Sequence, residues 1–437
     1  MKKWIFWFRQ DLRTFDNTWF IKSINDFDEV LPIFIIDKNI VESFWWLENK
    51  KFWFINEALT KLSDEIYNLS WKKLNVFYDY PEKIITFLVK KYNINWIYTN
   101  KSYSRYWTKR DEIIYKYCEE NNIIFQKFND FLLIEPENIP QRKVFTPYFK
   151  LWQKQVENWF TLKTPKKFKQ LEIEENYNST DFIKIKNHPY FNLDFWINRL
   201  KNNIKINYDE IRNSLDLDWT TKLSPFIRFW IFSIREIFEL WKNNHTFIQE
   251  LAWREFWQHI NYYFPETKDI EFQENKRHIK WEKDVYKLER WKNWETWYPI
   301  VDACIKQLLE TNRMHWRWRM IVASFLTKDL HIDWREWEAF FKEHLLDYDE
   351  NMNFWNWQWS ASVWADPKPL RIFNPILQSQ KFDKNCKFIK KYIPSLKDYE
   401  EKTIHDPINY QIKNYFPPIV NHNIEQKIAR QLYKRPD

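Results

Sequence analysis

Glycine is absent from all 437 residues of this chain, whereas tryptophan occurs 29 times. Glycine ordinarily makes up roughly 7 per cent of a protein, and the tryptophans fill nearly that share. Tight turns and helix C-caps need positive backbone angles that glycine adopts freely because it has no Cβ. A globular chain of this length without any glycine is therefore hard to build. We expect that many W letters stand where the natural protein carries glycine, from codons read with the wrong genetic code. The alternative is a truly Trp-rich, Gly-free protein. The stretch NMNFWNWQWSASVWAD (351–366) poses the question directly, with Trp355, Trp357, Trp359 and Trp364 set among Asn, Ser and Ala.

Cysteine is almost as scarce. Cys118, Cys304 and Cys386 are odd in number and far apart, which argues against a disulfide framework or a zinc knuckle and fits a reducing cytoplasm. The nine histidines contain no HExxH or other zinc spacing, so no metal site is expected. No run of about 18 apolar residues is present, and the opening MKKWIFWFRQDLR is too short and is broken by Arg9. A soluble protein with no membrane segment and no signal peptide is expected. Neither GxGxxG nor GxxxxGK[ST] appears, even when every W is read as Gly, which disfavours a Rossmann dehydrogenase or a P-loop NTPase. Lys and Arg total 68 against 60 Asp and Glu, a formal charge of +8 that permits nucleic-acid binding without demanding it.

What is present reads as a folded chain, 44% hydrophobic and 29% charged, with room for two or three domains. Over residues 1–130, strand-length apolar runs (IFWF, EVLPIFIID, KLNVFYDY, NWIYTN, IIFQKFND) alternate with amphipathic segments such as NEALTKLSDEIYNL and PEKIITFLVKKYN. That alternation predicts βαβ units and a parallel sheet, an α/β domain. From about 205 to 437 the pattern turns to long helical periods, FIQELAWREFWQHINYYF and MIVASFLTKDLHIDWREWEAFFKEHLL among them, which predicts an all-α domain. The polar stretch between them, 131–204, reads as a long interdomain linker. No internal repeat is found.

Several motifs occur in order along the chain: WFRQDLRTFDN (7–17), VFTPYFKLW (144–152), DWTTKLSPFIRFW (218–230), ELAWREFWQH (250–259), WKNWETWYPIVDA (291–303), NFWNWQWSASVWAD (353–366) and RIFNPILQSQKFD (371–383). Together they resemble the DNA photolyase/cryptochrome family, most closely its bacterial enzymes for cyclobutane pyrimidine dimers, from near residue 4 to about 422. The family pattern has glycine where this chain has Trp219, Trp230, Trp294, Trp297, Trp337, Trp355 and Trp364, and true tryptophan at 253, 291, 334, 357 and 359. The tryptophan cluster is thereby expected to be a mixture of both kinds.

The resemblance implies an α/β domain of the Rossmann-like antenna type joined to an all-α domain that holds FAD. It implies light-driven electron transfer from reduced FAD to a pyrimidine dimer in UV-damaged DNA, by a monomeric lyase. The flavin supplies the difficult chemistry and the protein holds and tunes it. By the same resemblance, Tyr208, Thr220, Thr221, Lys222, Leu223 and Ser224 bind the FAD phosphates, where hydroxyls, N–H groups and a cation meet the anion. Phe247 and Arg254 contact the cofactor. Asp347, Asp349 and their partner Arg319 lie near its ring and ribose, and Asn353 faces flavin N5, where an amide can donate or accept. Read without the family, TTKLSP is a helix N-cap and LLDYDEN a solvated helix end.

Trp357, Trp334 and Trp291 match the family's electron-relay triad; singly, each reads as a core residue. Glu250, Trp253 and Trp257 fall on one face of a helix at i, i+3 and i+7 and match lesion contacts, and Met320 and Trp359 complete that pocket. Photolyases are among the enzymes that flip their target out of the duplex. Met320 favours the cyclobutane dimer, because (6-4) photolyases carry His there. Trp316 stands where relatives place a lesion-contacting Asn and is expected to be glycine. Arg212, Arg317 and Arg371 match phosphate-contacting positions. The resemblance leaves open whether a second, antenna chromophore of folate or deazaflavin type binds. Ser104 in KSYSRYW replaces the acidic residue of the folate binders, so its identity here does not transfer. The rival reading is a cryptochrome-like photoreceptor without repair activity.

Overall fold

The computed structural model describes residues 2–41, 50–156, 162–174, 193–202, 208, 212, 221–365, 370–410, 412, 415 and 417–434. The five apolar runs of the first part form β1 (Lys3–Phe8), β2 (Glu29–Asp37), β3 (Asn75–Asp79), β4 (Trp96–Asn100) and β5 (Ile124–Phe128). They pair in parallel in the order β3-β2-β1-β4-β5. The strands are joined by α1 (Thr18–Asp26), α2 (Lys50–Ser70), α3 (Pro81–Tyr92) and α4 (Arg105–Glu120). β1 reads KWIFWF without alternation because a parallel sheet is covered on both faces, and Trp4 to Phe8 are all buried.

The strand order reverses beside β1, so the carboxyl ends of β1 and β4 mark the topological switch point of the sheet. Buried charges meet there: Arg9 bridges to Asp111 at 3.0 Å, Arg110 reaches Asp37 at 3.3 Å, and Tyr106 donates to Asp37 at 2.6 Å.

The described residues form two compact units. One joins Met1–Gln141, Thr146–Ile204 and Lys222–Tyr262; the other joins Arg142–Phe145, Lys205–Thr221 and Tyr263–Asp437. The segment 131–204 is thus not a bare connection. It contains α5 (Phe145–Val156) and a helix at Leu193–Asn202, and the apolar period of FTPYFKLWQKQV is what makes the first of these.

α6 (Ile234–Trp241) and α7 (His245–Tyr263) also belong to the first unit, where α6 joins a buried ion network. Arg235 meets Asp16 at 2.7 Å and Asp130 at 2.6 Å. Arg13 pairs with Asp130 and donates to the Trp230 carbonyl at 3.0 Å. Such a network tolerates loss of a partner poorly, because a buried charge is then left uncompensated.

The second unit is helical: α8 (Val285–Lys292), α9 (Pro299–Thr311), α10 (Trp316–Lys328), α11 (Trp334–His344), α12 (Glu350–Ser360), α13 (Pro375–Phe382) and α14 (His422–Leu432), with shorter turns between. The long helical pattern from Met320 to Leu346 is broken between α10 and α11. His331 takes φ 56, and Asp333 caps α11 by accepting from the Arg335 N–H at 2.9 Å.

The backbone bears on the missing glycine. Trp71, Trp230, Trp294 and Trp297 have φ of 62, 45, 53 and 74, a region that costs an L-residue about 1–2 kcal/mol. Three of these are among the seven positions where glycine is expected; Trp71, just past the end of α2, adds a site the motifs did not single out. The indole N–H groups of Trp230, Trp297, Trp337 and Trp355 are buried without a hydrogen-bond partner among the described residues, whereas a buried indole usually finds one. Trp152, Trp334 and Trp357 by contrast donate to Glu255, Glu271 and Asn353. Trp291 also has an unpartnered N–H, so this criterion alone does not separate the two kinds. Trp219 lies outside the described residues.

Candidate active site

In the second unit, α12 and the residues just before it gather the polar groups expected around a flavin. Asp347 accepts from Arg319 Nη2 through both carboxylate oxygens, at 2.9 and 2.8 Å, and Arg319 Nε donates to the Met314 carbonyl at 2.9 Å. The guanidinium is held from two sides and cannot swing. Asp349 is buried and caps α12, its Oδ1 accepting from the Met352 N–H at 3.0 Å. It is therefore not the solvated helix end that LLDYDEN suggests by itself.

Asn353 is buried one turn along α12. Its Oδ1 accepts the Trp357 indole N–H at 2.7 Å, and its Nδ2 lies 3.4 Å from Glu338 Oε1. The nitrogen also lies 3.5 Å from the Glu338 carbonyl, whereas the oxygen, with two lone pairs and one donor, can accept a second bond. This donor set fits a group that presents a ring nitrogen to be satisfied.

The aromatic residues order themselves differently from the triad. Trp357 packs on Trp337 with ring centroids 4.1 Å apart, and Trp337 on Trp291 at 4.5 Å. Trp334 instead meets the edge of Phe354 at 5.9 Å and carries Arg335 over its face. The structure thus joins Trp291 to Trp357 through Trp337, one of the positions where glycine is expected.

A basic-aromatic cluster lies at the start of α10. Arg317 stacks over Trp316 at 4.0 Å and over Phe382 at 4.7 Å, and Arg212 covers Trp316 at 5.2 Å. Met320 Sδ lies 4.0 Å from Arg317 Nη1. Burial, reinforced by Arg212, lowers the Arg317 pKa. His315, which caps α10, is pushed down to about 3 by burial and by Arg319 and Arg317, so it is a neutral ring at physiological pH. Arg371 stacks over Trp359 at 4.5 Å.

In the first unit, α7 carries Glu250, exposed, and Trp253 and Trp257, whose rings lie 5.4 Å apart. Phe247 stacks on Trp241 at 4.3 Å. Arg254 is buried, lies 3.8 Å over the Phe131 ring and donates to the Phe131 carbonyl at 3.0 Å. Lys222 takes φ 51; Leu223 is buried, and Ser224, exposed, begins the short helix Ser224–Arg228. That helix has Leu223 as its N-cap with no side-chain cap bond, so TTKLSP is not a capping motif. Thr221 is buried and Tyr208 half-buried; Thr220 lies outside the described residues.

Three residues were given no role by the sequence, although Glu255 lies within ELAWREFWQH (250–259). Glu255 accepts from the Leu133 and Ile134 N–H groups and from Trp152 Nε1 at 2.7 Å, fastening the 131–134 strip to α7. Burial pushes its carboxyl up. Glu338 and Tyr348 stand behind Asn353, the Tyr348 hydroxyl donating to Glu338 Oε1. Their only sequence signal is adjacency to a motif residue.

Residues 4–169 match the family model for DNA photolyase, and residues 247–435 match the FAD binding domain of DNA photolyase. The chain is 36% identical to a deoxyribodipyrimidine photo-lyase of Alkalihalophilus pseudofirmus over 75% of this chain and 76% of that one. It is 31% identical to that of Vibrio cholerae over 98% of each. Its structure superposes on an archaeal photolyase from Sulfolobus tokodaii, described with two FAD molecules, with TM-score 0.89 and 31% identity over 99% of this chain and 100% of the other. With both family models matched in order and relatives aligned over nearly its whole length, the chain belongs to the DNA photolyase family.

Proposed function

We propose that this protein is a deoxyribodipyrimidine photo-lyase that repairs cyclobutane pyrimidine dimers in DNA, using electron transfer from light-excited reduced FAD to a flipped-out dimer. The observation that carries the reading is the cluster of Arg319, Asp347, Asn353 and Trp357 within the span of the FAD-binding family model. When bound, FAD supplies the electron. Arg319 and Asp347 hold each other in register beside it, Asp349 fixes the start of α12, and Asn353 meets the ring nitrogen. Tyr208, Thr220, Thr221, Lys222, Leu223, Ser224, Phe247 and Arg254 complete the cofactor set.

Glu250, Trp253 and Trp257 in the first unit, and Met320 and Trp359 in the second, are the residues read as contacts of the extruded dimer, whose bases can stack on aromatic rings. Arg212, Arg317 and Arg371, with Trp316, meet the DNA backbone. Trp291, Trp334 and Trp357 conduct electrons to oxidised flavin. Residues 1–130 serve as the antenna-type domain, 131–204 connect, and 205–437 form the catalytic part, within which the FAD-binding family model, 247–435, falls. The protein acts as a monomer in the cytoplasm; its three free, buried cysteines fit a reducing compartment.

The test is light-dependent loss of dimers from a UV-irradiated oligonucleotide, with acid-released chromophore identified in parallel. One FAD per chain and repair under blue light are expected. A folded, flavin-free protein overturns the cofactor reading, and a flavin-loaded protein without repair leaves the photoreceptor reading.

A further inference from the structure

Asn353 is gripped at both ends. Its oxygen accepts the indole N–H of Trp357 at 2.7 Å, and its nitrogen approaches Glu338 Oε1 at 3.4 Å and the Glu338 carbonyl at 3.5 Å. The two ends of a carboxamide are nearly equal in size, so sterics do not decide which points where; hydrogen-bond partners do. An indole N–H can only donate, and it claims the oxygen. A carbonyl and an ionised carboxylate can only accept, and they claim the nitrogen. A flipped amide would set oxygen against oxygen at Glu338 and N–H against N–H at Trp357. The two partners therefore select the same orientation.

Glu338 is itself fixed. The Tyr348 hydroxyl donates to the same Oε1, and Tyr348 precedes Asp349, the N-cap of the helix that carries Asn353 and Trp357. Glu338 lies on α11, so the contact ties two helices through one carboxylate.

We propose that Glu338, braced by Tyr348, is a positioning residue that sets the orientation of the Asn353 amide, and so decides which end is offered to the flavin and which to Trp357. This inference rests on the reading of Asn353 as the residue facing the flavin, but its geometric half concerns the protein alone and can be read without cofactor.

The experiment is ¹H–¹⁵N NMR of Trp-labelled full-length protein, with and without FAD, in which the Trp357 indole signal is identified by its loss in Trp357→Phe. Asn353→Ala supplies the shift that marks complete loss of the Trp357–Asn353 bond. Glu338→Leu is expected to move the Trp357 signal upfield toward that reference while other indole signals stay in place. Glu338→Gln keeps an acceptor oxygen and should return the signal toward wild type. In the FAD-loaded protein, the flavin midpoint potential should shift in Glu338→Leu and recover in Glu338→Gln.

A Trp357 signal unmoved in folded Glu338→Leu, or general movement of many indole signals, overturns the proposal. If Glu338→Leu does not fold, Tyr348→Phe, which removes one hydroxyl, carries the test: a smaller shift of the same sign is expected and no shift overturns it. Absence of FAD from wild-type protein would sink the flavin reading while the cofactor-free spectra still decide the role of Glu338.

Discussion

Tryptophan at positive φ is the feature of single residues that most needs explaining. Trp71 is 67% exposed at φ 62, so its indole gains little from packing while its Cβ pays the left-handed penalty. Trp71→Gly should therefore stabilise the protein, by roughly 1 kcal/mol, read as a higher midpoint of urea unfolding; a lower midpoint would count against glycine there. Peptide mass spectrometry of natively produced protein should find glycine at 219, 230, 294, 297, 337, 355 and 364, and tryptophan at most of them would end the recoding idea. Position 337 has a functional corollary. With glycine there, the aromatic bridge from Trp357 to Trp291 is lost and the relay needs Trp334, so Trp334→Phe should slow photoreduction of oxidised flavin. Unchanged photoreduction in that variant would identify Trp337 as the bridge.

Among elements, α9 is tied to its surroundings by one carboxylate. Asp302 is fully buried and accepts from the Thr296 N–H at 2.9 Å, the Thr296 hydroxyl at 2.7 Å and the Tyr415 hydroxyl at 2.7 Å. Burial outweighs these bonds and pushes its pKa up to about 7. A carboxyl raised on folding binds more protons in the folded state than in the unfolded one between the two pKa values. Its contribution to stability is complete below the unfolded pKa of about 4 and is lost as pH rises toward 7. The slope is at most about 1.4 kcal/mol per pH unit for one proton. Asp302→Asn should flatten that limb in urea unfolding followed from pH 4 to 7, whatever its absolute stability, and an unaltered slope would show that Asp302 does not titrate there. The network of Arg13, Asp16, Asp130 and Arg235 illustrates the same scale, with no sequence signal that pairs its members. Its members come from segments more than 100 residues apart, and only folding made them neighbours.

The whole molecule carries a formal +8, a charge that decides little until its distribution is known. The stacking of Arg212 and Arg317 on Trp316, and of Arg371 on Trp359, concentrates cations beside aromatic faces. A phosphate contact releases counterions, so each one removed should flatten the dependence of log K on log salt by about 0.9. Arg317→Ala is expected to weaken binding to damaged and undamaged duplex alike and to lower that slope by roughly one contact, in titrations across a range of salt concentrations. Loss confined to damaged DNA would instead make Arg317 a lesion contact.

Composition and periodicity were enough to determine the α/β and all-α halves, because parallel strands covered on both faces must be continuously apolar and amphipathic helices must repeat near 3.6 residues. The ordered motifs were enough for the family. The same patterns could not show that α6 and α7 belong to the same compact unit as the sheet, that 131–204 holds helices within a folded unit, or that Trp337 stands between Trp291 and Trp357. Nor could they reveal Glu338 and Tyr348 behind Asn353. Those facts depend on contacts between residues distant in the chain, and hydrogen-bond partners and ring neighbours are chosen by the folded packing, which local sequence does not encode.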